Sequence, residues 1–374
     1  MMGTDLKIFR SRTKHMKRRT ILTSMAGSLA VAAGSHAASS NAELSMTDKA
    51  GSVTSFPPLV KPRRLRKGMT IGLVTPASNA PENEGVRFAI DVIQSLGFKV
   101  KEGKHLYKRN EYLAGTDQER AEDVNRMFAD EQVDGIFCVR GGWGSPRILP
   151  CLDYDLIARN PKVFMGYSDI TAILNALLAK TGLVGFHGPI AKQNFTEYTL
   201  AEFKKVLMLP KTSTIIAAPP PFESREGWVE EENRLTRFVS GKAKGKLVGG
   251  NLSLLTKLIG TPYEPNFDGA ILVLEDEGES PYRIDGLLTH LWLAGKLQQV
   301  AGIAIGKFTD TDYALNTFSV EEVIEQRCVP LGVPVIGGLM IGHVEDMTVV
   351  PLGVEAELDV DAGTLRLLEM AVRS

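Results

Sequence analysis

Val163-Phe164-Met165-Gly166-Tyr167-Ser168-Asp169-Ile170-Thr171 decides how the rest of the chain is read. The apolar run Val163 to Met165 ends at Gly166. After a short turn, Ile170, Ile173, Leu174, Leu177 and Leu178 fall at the i, i+3, i+4, i+7, i+8 spacing of one helix face, stopped by Gly182. A strand that turns directly into an amphipathic helix is part of a βαβ unit, so a parallel sheet is expected. Ser168 sits at the junction. A hydroxyl there is lifted clear of the sheet as in a nucleophile elbow, with the helix N-terminus favouring developing negative charge and Asp169 N–H available to an oxyanion. The stretch departs from G-x-S-x-G at Ile170, and a Ser at this position equally serves as a helix cap.

Outward from this stretch the same alternation repeats. Thr70 to Thr75 reads as a first strand, Pro81 to Leu96 as a helix closed by Gly97, Phe98 to Val100 as a strand, Asp117 to Ala129 as a helix carrying Val124, Met127 and Phe128, and Gly135 to Val139 as a third strand. Residues 68–192 therefore form a doubly wound α/β unit bearing Ser168. Periodicity weakens over 193–245, where Pro219-Pro220-Pro221 and the acidic run Glu230-Glu231-Glu232 place a connecting segment. Residues 246–374 reopen with Gly249-Gly250-Asn251, a helix through Leu258, the strand Ala270 to Leu274, a helix striped by Ile284, Leu287, Leu288, Leu291 and Trp292, the strand Gly302 to Gly306, and short alternating strands from Met347. That is a smaller, mixed α/β second domain. A chain of 374 residues, 44% apolar and 23% charged, suits two globular domains and excludes disordered and collagen-like classes.

The first 37 residues read as an export signal. Lys17-Arg18-Arg19 precede an uncharged stretch from Ile21 to Ala33 and the small-x-small site Ser35-His36-Ala37. As a helix that stretch rises about 20 Å, short of a roughly 30 Å hydrocarbon core, so no permanent membrane anchor is expected. Arg18-Arg19-Thr20-Ile21-Leu22 resembles a twin-arginine signal, with a general secretory signal as the alternative and Met16 as an alternative start. Either route leads out of the cytoplasm, to a periplasmic destination. Residues 38–67 form a polar, Pro-containing segment. From residue 38 onward 36 basic groups face 43 acidic ones, a net of −7, which supplies no electrostatic footprint for nucleic acid. Cys138, Cys151 and Cys328 lack the spacing of a disulfide framework or a zinc site, and no metal or other cofactor is expected.

Gly141-Gly142-Trp143-Gly144 follows the strand that ends before Arg140. The dinucleotide pattern fails at Arg147, so this turn is either an oxyanion donor through Gly142 N–H or a plain tight turn. Arg140 is a candidate for pairing with a substrate carboxylate, with a solvated strand-end arginine as the more common alternative. A serine nucleophile needs a base and an orienting acid. With His15 and His36 in the signal, four imidazoles remain. His290 lies on the helix of Leu287, Leu291 and Trp292, as a packing or surface residue, His105 in a solvated basic turn beside Lys104 and Lys108, His187 in Gly185-Phe186-His187-Gly188-Pro189 as a candidate to line the site, and His343 in a loop after a strand. Glu275 ends the run Ile271 to Leu274, a suitable place from which to orient an imidazole, although Glu275-Asp276-Glu277 also reads as a solvated acidic turn.

Gly166-Tyr167-Ser168-Asp169-Ile170-Thr171, Gly249-Gly250-Asn251-Leu252, Leu274-Glu275-Asp276 running into Pro281-Tyr282-Arg283-Ile284-Asp285, and Gly342-His343 together resemble the LD-carboxypeptidase family of serine peptidases, the murein tetrapeptide carboxypeptidases. The four blocks come in the family's order from about Thr70 to Pro351. The resemblance implies a triad of Ser168, His343 and Glu275, an oxyanion hole from the backbone of Gly142 and Asp169, and no metal. It also implies a flavodoxin-like N-terminal domain with a parallel sheet, a smaller C-terminal domain carrying acid and base, and a murein peptide as substrate, and it leaves a homodimer open. An export signal is unexpected where many relatives recycle murein peptides inside the cell. Alternatives are a microcin C immunity-type serine peptidase and, from another class, a non-catalytic periplasmic binding protein.

Overall fold

The computed structural model describes residues 57–313 and 316–374, so the residues read as an export signal and most of the polar segment lie outside it. Strand β1 (Thr70–Val74), helix α1 (Asn83–Ser95), β2 (Lys99–Glu102), α2 (Asp117–Ala129), β3 (Gly135–Cys138), α3 (Ser145–Ile148), α4 (Tyr154–Arg159), β4 (Val163–Gly166), α5 (Thr171–Thr181) and β5 (Gly185–His187) build the first sheet and its helices. The parallel strands lie in the order β2-β1-β3-β4-β5, the flavodoxin-like arrangement. All four residues of β3 and of β4 are buried, which is why these strands read as continuous apolar runs rather than alternating ones.

The remaining elements are α6 (Glu197–Phe203), β6 (Thr214–Ile216), β7 (Thr236–Val239), β8 (Lys242–Asn251), α7 (Leu252–Thr256), β9 (Ile271–Glu277), α8 (Pro281–Leu293), β10 (Gly302–Thr309), α9 (Val320–Cys328), β11 (Val335–Gly337), β12 (Val350–Leu352), β13 (Glu355–Asp359) and β14 (Thr364–Leu367). Eight of their strands form a mixed sheet in the order β6-β14-β13-β8-β9-β10-β11-β7, parallel from β8 to β11. One buried cluster around Leu272, Leu274, Ile284, Leu288 and Ile303 serves this sheet, and the larger cluster under the first sheet continues into it through Leu247, Ile271 and Val273.

Three features differ from the sequence reading. Residues 193–245 are not an irregular connection, because α6, β6, β7 and the start of β8 lie there. The strands β6 and β7 are only three and four residues long, too short to show alternation. Gly249 and Gly250, read as the opening of the second half, lie instead near the end of the long strand β8, which begins at Lys242. Both have positive φ, and a Cβ on Gly249 would lie 2.1 Å from Val273 O on the neighbouring strand. Finally, β12 leaves the second half to pair antiparallel with β5 on the edge of the first sheet, Val350 opposite His187. None of the described helices is long and apolar enough to cross a membrane.

Candidate active site

Ser168 follows the fully buried β4 in a short 3₁₀ turn and takes φ +61°, the left-handed region that a side-chain-bearing residue occupies at a cost of about 1–3 kcal/mol. Neither the 3₁₀ turn nor α5 receives a side-chain cap, so the capping alternative is not realised. The elbow closes because residue 141 is glycine. A Cβ there would stand 3.0 Å from Ser168 Cβ, 3.1 Å from Tyr167 O and 3.3 Å from Asp169 N. Ser168 keeps part of its surface open to a cleft of about 690 Å³ whose wall also includes Gly142, Arg140 and His343.

The glycine turn after β3 is tightly tethered. Gly142 and Gly144 have φ +94° and +103°, and Ser78 Oγ accepts Trp143 N–H at 2.9 Å while Ser78 N–H donates to Gly141 O at 3.2 Å. Arg120, fully buried, donates through Nη1 to Pro76 O at 2.6 Å and Gly144 O at 2.9 Å and pairs with Asp117. The Asp169 carboxylate is turned inward and accepts Ser145 N–H at 2.6 Å; burial pushes its carboxyl up. What Asp169 offers to the Ser168 side is thus its backbone N–H, adjacent to the 141–142 peptide. Arg140 lines the same cleft and donates to Asn79 O at 3.1 Å.

Glu275 ends the apolar part of β9 with no exposed surface, and its Oε2 accepts from His343 Nδ1 at 2.8 Å. Gly342 makes the approach feasible, since a Cβ at its φ of +110° would lie 2.7 Å from that same oxygen. Burial alone would push the Glu275 carboxyl up, but His187 and His343 beside it hold it down at about 2. For His343 burial favours the neutral ring, yet the Glu275 hydrogen bond and the charges of Glu275, Glu277 and Asp276 outweigh it and raise its pKa. The imidazole packs edge-on against Tyr167, centroids 4.8 Å apart, and its Nε2 faces Glu277 Oε2 at 3.3 Å. Among the described residues Ser168 and His343 share no direct hydrogen bond.

The histidine loop is held from α6. Thr196 Oγ1 donates to Asp346, Thr199 Oγ1 donates to Glu345 O at 3.1 Å and accepts Met347 N–H at 2.9 Å, and Thr348 Oγ1 donates to the buried Glu202. Asn251, capping α7, donates through Nδ2 to Asp276 at 2.8 Å and through its backbone N–H to Thr171 Oγ1 at 3.0 Å, so the Gly249-Gly250-Asn251 block joins the Ser168 helix to the Glu275 strand.

Residues 71–188 match the LD-carboxypeptidase N-terminal domain and residues 244–358 the LD-carboxypeptidase C-terminal domain. The chain belongs to the LD-carboxypeptidase family. It is 39% identical over 306 residues to the probable murein peptide carboxypeptidase of Bacillus subtilis, covering 80% of this chain and 91% of that one. The solved structure of MccF in complex with glutamyl sulfamoyl guanosine superposes with a TM-score of 0.77 at 30% identity, over 84% of this chain and 99% of that one, and the microcin C7 self-immunity protein MccF of Escherichia coli is 32% identical over 337 residues, 85% of this chain and 97% of that one. Muramoyltetrapeptide carboxypeptidase from Oxalobacter formigenes gives 0.68 at 30% identity, over 80% and 98%. As a member of a serine peptidase family the protein is a hydrolase.

In this member of the LD-carboxypeptidase family the structure brings Ser168, His343, Gly142 and Arg140 to one cleft, with Glu275 behind His343 and Asp169 beneath Ser168. His290 is exposed on α8 and away from it. His105 is not in a solvated turn: it is buried, with its N–H on Asp123 and its ring 3.0 Å from Glu122. Sequence reasoning missed Ser78, Arg120, Ser145 and the α6 threonines. Arg120 carried a signal, because it falls on the same helical stripe as Val124, Met127 and Phe128, and a charge on an apolar face needs a buried partner. The α6 threonines carried none, since their partners lie about 150 positions away. Among the described residues no group of three or more His, Cys, Asp or Glu is placed to hold a metal ion.

Proposed function

We propose that this member of the LD-carboxypeptidase family releases the terminal D-alanine of murein tetrapeptides through an acyl-enzyme on Ser168. What carries the reading is the conjunction of a hydroxyl on a strained elbow with a 2.8 Å carboxylate–imidazole pair on the wall of the same cleft. In this reading His343 Nε2 turns from Glu277 to Ser168 once the substrate fills the cleft, and takes the hydroxyl proton as Oγ attacks the amide carbon. The tetrahedral oxyanion is met by the N–H groups of Gly142 and Asp169. His343 returns the proton to the leaving amine, D-alanine departs, and water repeats the sequence to free the shortened peptide. Glu275 stays ionised and holds the ring with Nδ1–H toward itself, so that Nε2 is the atom that exchanges protons.

Support for a murein peptide comes from the chain's similarity to the probable murein peptide carboxypeptidase of Bacillus subtilis and the muramoyltetrapeptide carboxypeptidase of Oxalobacter formigenes. Arg140, with a guanidinium on the cleft wall, is the group assigned to the substrate's terminal carboxylate. A second reading, a peptidase of acyl-sulfamoyl nucleotides, is favoured by the higher TM-score to MccF, 0.77 against 0.68. A serine-directed phosphonate that labels Ser168, followed by competition with a murein tetrapeptide or with glutamyl sulfamoyl guanosine, separates the two. Protection by the tetrapeptide alone supports the murein reading; protection by the nucleotide alone overturns it. We also propose that the protein is exported, on the basis of Lys17-Arg18-Arg19 and the uncharged stretch that follows. A reporter active only outside the cytoplasm, fused after Ala37, should be switched on by it.

A further inference from the structure

We propose that His187 is a positioning residue for Glu275, its Nε2–H aimed at the carboxylate oxygen that His343 leaves free. The proposal rests on the Ser168, His343 and Glu275 reading above. His187 ends β5 beside Gly166 on the first sheet, whereas Glu275 lies two residues before the end of β9 on the second, so the contact crosses between the two halves of the site. His187 Nε2 and Glu275 Oε1 are 3.5 Å apart, and both side chains are fully buried. Neither Glu275 Oε1 nor either ring nitrogen of His187 has a hydrogen-bond partner among the described residues. At 3.5 Å the pair is one small adjustment from a hydrogen bond, and nothing else competes for it.

The surroundings decide which nitrogen carries the proton. With hydrogen on Nδ1, the Nε2 lone pair would face an ionised oxygen and the N–H would point at no acceptor. With hydrogen on Nε2 the donor meets the carboxylate and only a lone pair is left without a partner, the less costly arrangement. The ring has space made for it. A Cβ on Gly250, whose φ is +122°, would lie 2.9 Å from His187 Cδ2 and 2.8 Å from Thr171 Oγ1, which gives the second glycine of Gly249-Gly250-Asn251 a role at the site. Tyr167 stands edge-on at 6.1 Å.

Two imidazoles therefore share one buried carboxylate, with Tyr167, Asp276 and Glu277 as the other titratable groups near it. Holding Oε1 from the first sheet fixes the plane of the carboxylate and so the direction in which Oε2 meets His343. It also divides the negative charge. Without the His187 donor, more of that charge acts on His343, which then keeps its proton to higher pH.

The near-isosteric pair His187→Gln and His187→Met, one with a donor and one without, tests this in the whole protein. In His187→Met the acid limb of kcat/KM and the ring titration of His343 seen by ¹⁵N NMR should both move to higher pH. There kcat should fall on the order of 10-fold, part of the roughly 10²–10⁴ that general acid–base catalysis supplies, with KM little changed. His187→Gln should keep the wild-type limb. In the wild-type protein the same spectra should show the His187 proton on Nε2 at neutral pH, which needs no variant to fold. A proton on Nδ1, or a His343 titration identical in wild type and His187→Met, overturns the proposal. Absence of Ser168-dependent peptide cleavage in the wild type would instead overturn the triad reading, and the spectra would still judge the His187 contact.

Discussion

Glu275 and His343 meet at 2.8 Å where solvent does not reach the carboxylate, one residue near the end of β9 and the other in the loop after β11. The two ends of the pair respond oppositely to pH. Glu275 is held at about 2, so it is ionised throughout the working range, while His343 is raised above the ordinary imidazole value of 6.5. A general base must be neutral, so kcat/KM should fall as pH drops through the raised His343 pKa, giving an acid limb above 6.5. A pH profile on a murein tetrapeptide measures it, and a limb well below that value would contradict the pairing.

Glu277 adds to the rise. Its carboxylate lies 3.3 Å from His343 Nε2 on a half-exposed side chain. Glu277→Gln should move the acid limb to lower pH and leave the fold unchanged, the shift shrinking as salt screens the wild-type charge. An unmoved limb would mean that Glu277 is solvated away from the ring in solution.

Stability and activity should have different optima. The Glu275 contribution is present above its unfolded value of about 4.5 and is lost as pH falls toward 2, whereas the His343 contribution is present below 6.5 and is lost as pH rises through its raised folded pKa. The two shifts describe one interaction from its two ends, and it is at full strength between about 4.5 and 6.5. The loss of stability in Glu275→Gln, read from denaturant midpoints, should therefore be largest in that window. A loss that instead grew toward pH 9 would reverse the sign assigned here.

Gly142 is expected to tolerate no side chain. At φ +94° a Cβ would stand 2.5 Å from Ser78 Oγ and 2.8 Å from its Cβ. Gly142→Ala should shift the turn that offers its N–H to the oxyanion, lowering kcat by about 10² or more, with a stability loss of about 1–3 kcal/mol. Unchanged kcat in the folded variant would remove Gly142 from the oxyanion hole.

Thr199 should act on catalysis from a distance. Its hydroxyl donates to Glu345 O and accepts Met347 N–H, anchoring the loop that carries His343. Thr199→Val keeps the shape and removes the bonds, at about 1–3 kcal/mol for the buried groups left unpaired. Steady-state kinetics should show a lower kcat with KM nearly constant. A stability loss without any change in kcat would show that the loop is set by other contacts.

The parts of the molecule legible from sequence were those whose signal is local. The β4–Ser168–α5 junction declared itself because buried strands and amphipathic helices have distinct periods, and α2 was read to its observed bounds by the same rule. Ser168, Glu275 and His343 were singled out because each stands at the end of a strand or in the loop after it, but their association needed four motif blocks in order. What stayed hidden was carried by contacts far apart in sequence: the crossing of β12 to the first sheet, the α6 anchor, and the approach of His187 to Glu275. Three-residue strands such as β5 and β12 offer too few positions for alternation to show. The positive φ of Gly249 and Gly250 follows from backbones and rings lying close by, which a Gly-Gly pair signals only as permission.

Ser168 is proposed to cleave a murein peptide with no help from a metal. The most direct test is the mass of a murein tetrapeptide incubated with the protein in the presence of a chelator, with Ser168→Ala in parallel. Loss of one alanine with the wild type and none with the variant is the expected result; an intact tetrapeptide, or equal loss in both, would contradict it.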